Sequence, residues 1–174
     1  MSEFFFNTND IVEHIEELNS GDRVFLSGIV YTARDAAHKR IVNLIDDGKK
    51  LPFEINNSFI YYAGPTPTPL NLSIGSCGPT TSSRMDKFAP ELLDLGLKGM
   101  IGKGPRNDDV VDSIVKNKAI YLCAVGGAGA LASRCIVKCD VIAFDDLGCE
   151  SVKKLEFKDF PLIVGIDCRG NTIF

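Results

Sequence analysis

"RVFLSGIVYTARDAAHKR" (residues 23–40) changes character in its middle. Residues 23–33 are rich in β-branched and aromatic side chains and read as a strand. Ala37, Ile41, Leu44 and Ile45 then fall on one stripe, which predicts a helix. Asp35 sits in its first turn, where negative charge suits the helix dipole, and Gly48 is a natural stop. A strand running straight into a helix is the unit from which α/β sheets are built. Arg34 stands at the junction, and ligands of open α/β sheets gather at the carboxyl ends of strands. The plainer reading of the same residues is a solvated helix face made by Asp35, Lys39 and Arg40, with His38 as a surface or capping histidine.

The alternation continues outward in both directions. "NDIVEHIEEL" (9–18) puts Ile11, Ile15 and Leu18 on one face and predicts a short amphipathic helix. "FIYYAGPTPTP" (59–69) reads as a short strand entering a proline-broken loop. Phe88, Leu92 and Leu95 have helical spacing, closed by Gly96. "GMIGKG" (99–104) reads as a brief buried strand, and "NDDVVDSIVKN" (107–117) as a helix with acids at its start and Lys116 at its end. "AIYLCAVGG" and "CDVIAFDD" read as strands. "LIVGIDCRGNTIF" (162–174) predicts a hairpin turning near Arg169-Gly170-Asn171. Strands slightly outnumber helices, so the expectation is one domain over residues 1–174, of mixed α/β (α+β) class, with one sheet or two sheet layers.

Composition limits what such a domain does. The 174 residues are 45% hydrophobic, enough for one core without disulfides or a structural metal. The net charge of −4 argues against non-specific nucleic-acid binding, which needs a basic surface. No apolar run approaches the ~20 residues that span a bilayer. "MSEFFFNTND" offers acidic Glu3 and no basic n-region, so the chain reads as cytoplasmic. The six cysteines contain no C-x-x-C pair and read as buried free thiols rather than metal ligands or disulfides.

In an acidic chain an anion site must be built locally. "GSCGPTTSSRMD" (75–86) offers one: four consecutive hydroxyls, Thr80 to Ser83, followed by Arg84. One hydroxyl suffices to cap a helix here; three remain unexplained by capping. The planar guanidinium of Arg84 suits a carboxylate or phosphate. "GKGPR" (102–106) sets Lys103 between glycines after an apolar strand, although no Walker motif is present. "VGGAGAL" (125–131) lacks the G-x-G-x-x-G spacing and is read as close backbone packing. Arg34, Arg84 and Lys103 each follow a predicted strand. Converging, they would suit a compact polyanion such as a dicarboxylate.

"SGIVYTARDAAHKR", "YYAGPTP", "GPTTSSRMD", "GKG" and "GGAGAL", in that order and spacing, resemble the β subunit of class I fumarate hydratases and the related L-tartrate dehydratases. The resemblance runs from about Gly21 to the C-terminus. It implies a swivelling β/β/α domain, and half of a hydro-lyase acting at a [4Fe–4S] cluster with one open iron serving as Lewis acid. That cluster would be held by a partner α subunit, in an α2β2 assembly, and no metal by this chain. Arg34, Arg84 and Lys103 match the positions that clamp substrate carboxylates. Thr80 matches the family's proposed catalytic base, Thr81 would position substrate, and His38 would serve a proton relay. Ser82-Ser83 departs from the family, where many members carry smaller or different residues. A non-catalytic dicarboxylate-binding module would use the same cations without needing Thr80.

Overall fold

The computed structural model describes residues 2–174. Seven strands, β1 (Glu3–Asn7), β2 (Arg23–Thr32), β3 (Phe59–Tyr61), β4 (Gly99–Gly102), β5 (Ile120–Cys123), β6 (Ile136–Ala143) and β7 (Val152–Ile166), form one sheet in the order β1-β2-β3-β4-β5-β7-β6. β7 also pairs back, antiparallel, with β2. The five strands β2-β3-β4-β5-β7 therefore close into a small barrel, with β1 and β6 attached outside the ring. The expected mixed α/β class holds.

Closure needs a bend, and β7 supplies it. Its pairing with β2 slips between Leu26 and Gly28, where the partners jump from Phe160 to Phe157. Lys158 and Asp159 there oppose Ser27 alone, and Asp159, at φ 47°, donates its N–H to Ser27 Oγ at 2.9 Å. This is a β-bulge, the usual device for turning a strand around a barrel.

Five helices dress the barrel: α1 (Ile11–His14), α2 (Asp35–Asp46), α3 (Ala89–Asp94), α4 (Asp108–Asn117) and α5 (Gly129–Arg134). Strand alternation sorts side chains into two buried groups. Val24, Leu26, Val30, Phe59, Tyr61, Ile101, Leu122, Phe157 and Leu162 belong to one, joined by Ile11 and Ile15. Ile60, Tyr62, Met100 and Tyr121 point the other way and meet Ala37 and Ile41 of α2, Leu92 of α3 and Ile114 of α4. Burial of each such aliphatic side chain contributes roughly 1.5–3 kcal/mol. β3 is buried on both faces, which explains why "FIY" shows no polar alternation.

Several local expectations change. The helix over 9–18 shortens to α1 plus a 3-10 turn at Ile15–Glu17, ending where Leu18 adopts extended backbone. β1 was not anticipated; its three phenylalanines become a strand only by parallel pairing with β2. The C-terminal hairpin reduces to a single bridge, Ile166 to Thr172, around the Arg169-Gly170-Asn171 turn, because β7 is one strand of 15 residues. α5 arises inside "GGAGAL". Among the described residues no helix is long and apolar enough to cross a membrane.

Candidate functional site

β2, β3, β4 and β5 run parallel, so their carboxyl ends share one end of the barrel. The loops leaving that end carry Arg34 after β2, Ala63-Gly64 after β3, Lys103 after β4 and Gly126 after β5. The position of Arg34 and Lys103 is thus fixed by topology, at the place where α/β sheets hold ligands.

Arg84 reaches the same rim differently. No strand precedes it: residues 62–81 contribute only isolated bridges, Ala63 to Pro79 and Thr81 to Lys103. Arg84 lies in a 3-10 turn, Ser82–Met85, and no side chain caps that turn. The expected hydroxyl cap is therefore absent. The turn is instead tied in by backbone: Thr80 N–H donates to the Tyr62 carbonyl at 2.6 Å and Ser82 N–H to the Lys103 carbonyl at 2.9 Å. These bonds bring Thr80 and Thr81 beside Lys103.

The four hydroxyls separate by burial. Ser82 is fully buried and its Oγ lies 2.8 Å from the Tyr121 hydroxyl, which donates in turn to the Gly104 carbonyl at 2.8 Å. Thr81 and Ser83 are exposed and Thr80 is half-buried. Ser82 is thus structural, leaving Thr80, Thr81 and Ser83 able to meet a ligand. Gly102 is required here, because a Cβ at that position would collide with Ser82 Oγ and stand 2.9 Å from the Tyr62 ring.

Both arginines are charge-paired with acids, and only that of Arg84 is hydrogen-bonded. Arg84 Nε donates to Asp35 Oδ1 at 3.0 Å, and its Nη2 lies 2.8 Å from Oδ2. Arg34 Nε lies 3.3 Å from Glu150 Oε1. Lys103 has no carboxylate within ion-pairing distance among the described residues, and its side chain runs toward Gly126 of the glycine loop. Close packing, as expected, is what that loop's last glycine serves: a Cβ on Gly129 would stand 2.9 Å from Gly78 N.

His38 is not on the surface. It is fully buried, between the rings of Tyr62 and Phe88, and Nδ1–H donates to the Arg34 carbonyl at 2.9 Å. Burial pushes its pKa down to about 4, so the ring is neutral with Nε2 unpartnered. The residue that sequence reasoning missed is Arg106, the last letter of "GKGPR". Its side chain is wholly buried, paired to Asp86 Oδ1 at 2.6 Å and lying over the Tyr62 and Tyr121 rings. Pro105 directly before it, and Asp86 closing "SSRMD", were the available signals.

The cysteines do not make a cluster site. Among the described residues no group of three or more His, Cys, Asp or Glu could hold a metal. All six thiols are free; Cys77 is buried and its pKa pushed up to about 12 by burial, which disfavours the thiolate an iron would need. Their burial is uneven, since Cys149 is exposed.

A closed α/β barrel whose parallel strands end in a cationic, hydroxyl-lined rim is the class defined by this fold and site. The chain belongs to the family described as "Fumarase C-terminus", whose model matches residues 2–174. It is 38% identical over 167 residues to "Fumarate hydratase class I, anaerobic" of Escherichia coli K12, covering 95% of this chain and 30% of that one. It is 39% identical over 166 residues to "Putative L(+)-tartrate dehydratase subunit beta" of Methanocaldococcus jannaschii, covering 92% of this chain and 85% of the relative. "Fumarate hydratase 2" of Leishmania major is 38% identical over 164 residues, 29% of its length. The chain thus spans under a third of the fumarate hydratases but most of the separate β subunit.

Proposed function

We propose that this chain is the β subunit of a hydro-lyase that reversibly hydrates the double bond of fumarate to L-malate. It works in the cytoplasm with an α subunit, as an α2β2 assembly, in one shared active site. A [4Fe–4S] cluster on that α subunit would supply the Lewis acidity; the residues of this chain are not built to hold it. The observation that carries the reading is the convergence of Lys103, Thr80-Thr81 and the Asp35-linked pair Arg34 and Arg84 on one barrel rim, in a member of the fumarase family.

In this reading Arg34, Arg84 and Lys103 neutralise and orient the substrate carboxylates. Charge-assisted hydrogen bonds of this kind contribute about 1.5–3 kcal/mol each. Thr81 positions substrate through its exposed hydroxyl. Thr80 is the candidate base. A threonine hydroxyl serves only where neighbouring cations favour its deprotonated form, and Lys103, bridged to the adjacent Thr81, is the nearest cation in the chain's pairing to take that part. A relay role for His38 would use its free Nε2.

L-tartrate is the second substrate reading, favoured by the 85% coverage of a relative bearing that name as a separate subunit. A dicarboxylate-binding module without catalysis is the third. The test is anaerobic co-purification with the α subunit, followed by malate and tartrate dehydration assays. Arg84→Ala should cut turnover about 10²–10³-fold, and Thr80→Val should abolish chemistry while sparing binding. Full activity of Thr80→Val would overturn Thr80 as the base, and a cluster-loaded complex silent on both substrates would contradict the hydro-lyase reading.

A further inference from the structure

Each of the two candidate-site arginines has an acid beside its Nε, hydrogen-bonded in Arg84 and only charge-paired in Arg34. Each guanidinium has a side edge, Nε with Nη2, and an end edge, Nη1 with Nη2, and either can take a carboxylate. Asp35 occupies the side edge of Arg84, at 3.0 Å from Nε and 2.8 Å from Nη2. Glu150 Oε1 stands 3.3 Å from the Nε of Arg34, a charge pairing without a hydrogen bond. In both cases the end edge is left over. The Nη1 of Arg34 stands over the Gly64 backbone, where any Cβ would come within 2.7 Å of it.

The acids themselves are anchored. Asp35 opens α2, one residue after Arg34, so the dipeptide Arg34-Asp35 fastens Arg84 of the hydroxyl turn to the end of β2. Glu150 ends the turn Asp145–Glu150, and its Oε2 accepts Ala36 N–H at 3.4 Å. Lys153 Nζ staples that turn from beneath, donating to the Cys149 carbonyl at 3.2 Å and to Ser151 Oγ at 2.7 Å. Arg40 Nη1 donates to Asp146 Oδ1 at 2.8 Å, holding the turn against α2.

We propose that Asp35 is a positioning residue, which fixes the side edge of Arg84 so that its end edge faces an incoming substrate carboxylate, with Glu150 as the countercharge beside Arg34. The inference rests on the dicarboxylate reading above. Its opposite is equally concrete: acids so close to the clamp would be competitors, and removing one would tighten binding. A freely rotating, half-exposed arginine loses side-chain entropy when it clamps a ligand; one already oriented loses less. The two accounts predict opposite signs.

The test compares the full chain in complex with its α subunit, using L-malate as the probe. Asp35→Asn should raise KM about tenfold, the scale on which small misplacement of a clamp is felt, with kcat and thermal midpoint little changed. Asp35→Glu should recover part of the loss. Adding Asp35→Asn to Arg84→Ala should cost nothing further, because the acid acts only through that arginine. In the full chain alone, the Nε–H resonance of Arg84 should be slowed in exchange, and Asp35→Asn should abolish that protection. An unchanged or lowered KM in Asp35→Asn overturns the positioning role while leaving the hydro-lyase reading intact. If the wild-type complex handles no malate, the substrate reading fails; unaltered Arg84 Nε–H exchange in Asp35→Asn would then overturn the positioning role by itself.

Discussion

Arg106 Nε lies 2.6 Å from Asp86 Oδ1, with no exposed surface on the arginine side chain. The other oxygen of Asp86 accepts Asn107 N–H at 2.9 Å, so the pair bolts the end of the hydroxyl-rich turn to the loop leaving β4. Removing one partner of such a pair leaves a buried charge uncompensated. Arg106→Ala or Asp86→Ala should each lower stability by about 3–5 kcal/mol, measured by urea denaturation. The double replacement Arg106→Met with Asp86→Leu should cost less than either single change, and a larger loss in the double variant would contradict this account.

Gly102→Ala tests the floor of the site. The new methyl would press on Ser82 Oγ and the Tyr62 ring, displacing the hydroxyl from Tyr121. A loss of about 1–3 kcal/mol is expected, the usual cost of overpacking. Combining it with Ser82→Ala should recover part of that loss. No recovery would mean that Tyr62, not Ser82, sets the limit.

His38 gives the stability a pH dependence of known sign. Burial places its folded pKa at about 4, below the ordinary histidine value of 6.5. Between those values the unfolded chain takes up the proton more readily than the folded one. The contribution is therefore complete above pH 6.5 and declines as pH falls toward 4, by about 3 kcal/mol in all at 1.36 kcal/mol per unit. Denaturation midpoints should fall across that window, and less steeply in His38→Phe. An imidazole carbon resonance of His38 titrating near 6.5 would refute the assignment.

Thiol reactivity should follow burial. Cys149 is exposed, whereas Cys77 is buried with its pKa pushed up to about 12. Brief iodoacetamide treatment of the native chain, read by mass spectrometry, should label Cys149 and leave Cys77 untouched until the chain is unfolded. Early labelling of Cys77 would show that the core opens locally at its loop.

The strand–helix alternation from 23 to 123 was legible because its elements are short, regular and often bounded by glycine or a polar cap. Asn107, for instance, caps α4 through Oδ1 to Val110 N–H at 3.0 Å, in keeping with the run of acids behind it. The rim positions of Arg34 and Lys103 were legible because each directly follows a strand. One of the reasons for singling out Arg84, a strand leading into it, does not hold. What placed it was the bridge between Thr81 and Lys103, a pairing across 22 residues that no local pattern announces.

The sequence by itself determined the mixed α/β class, the order of most elements, the family and the cations that line the rim. These depend on local spacing and residue type, which periodicity and motif order carry directly. Only the tertiary structure decided that β7 closes the sheet on β2, that Ser82 faces inward while its neighbours face out, that His38 is buried and neutral, and that Asp35 and Glu150 are charge-paired with the arginines. Each of those depends on what a side chain meets from a distant segment: closure is decided by non-local hydrogen bonds, and charge state by burial and by partners that sequence distance conceals.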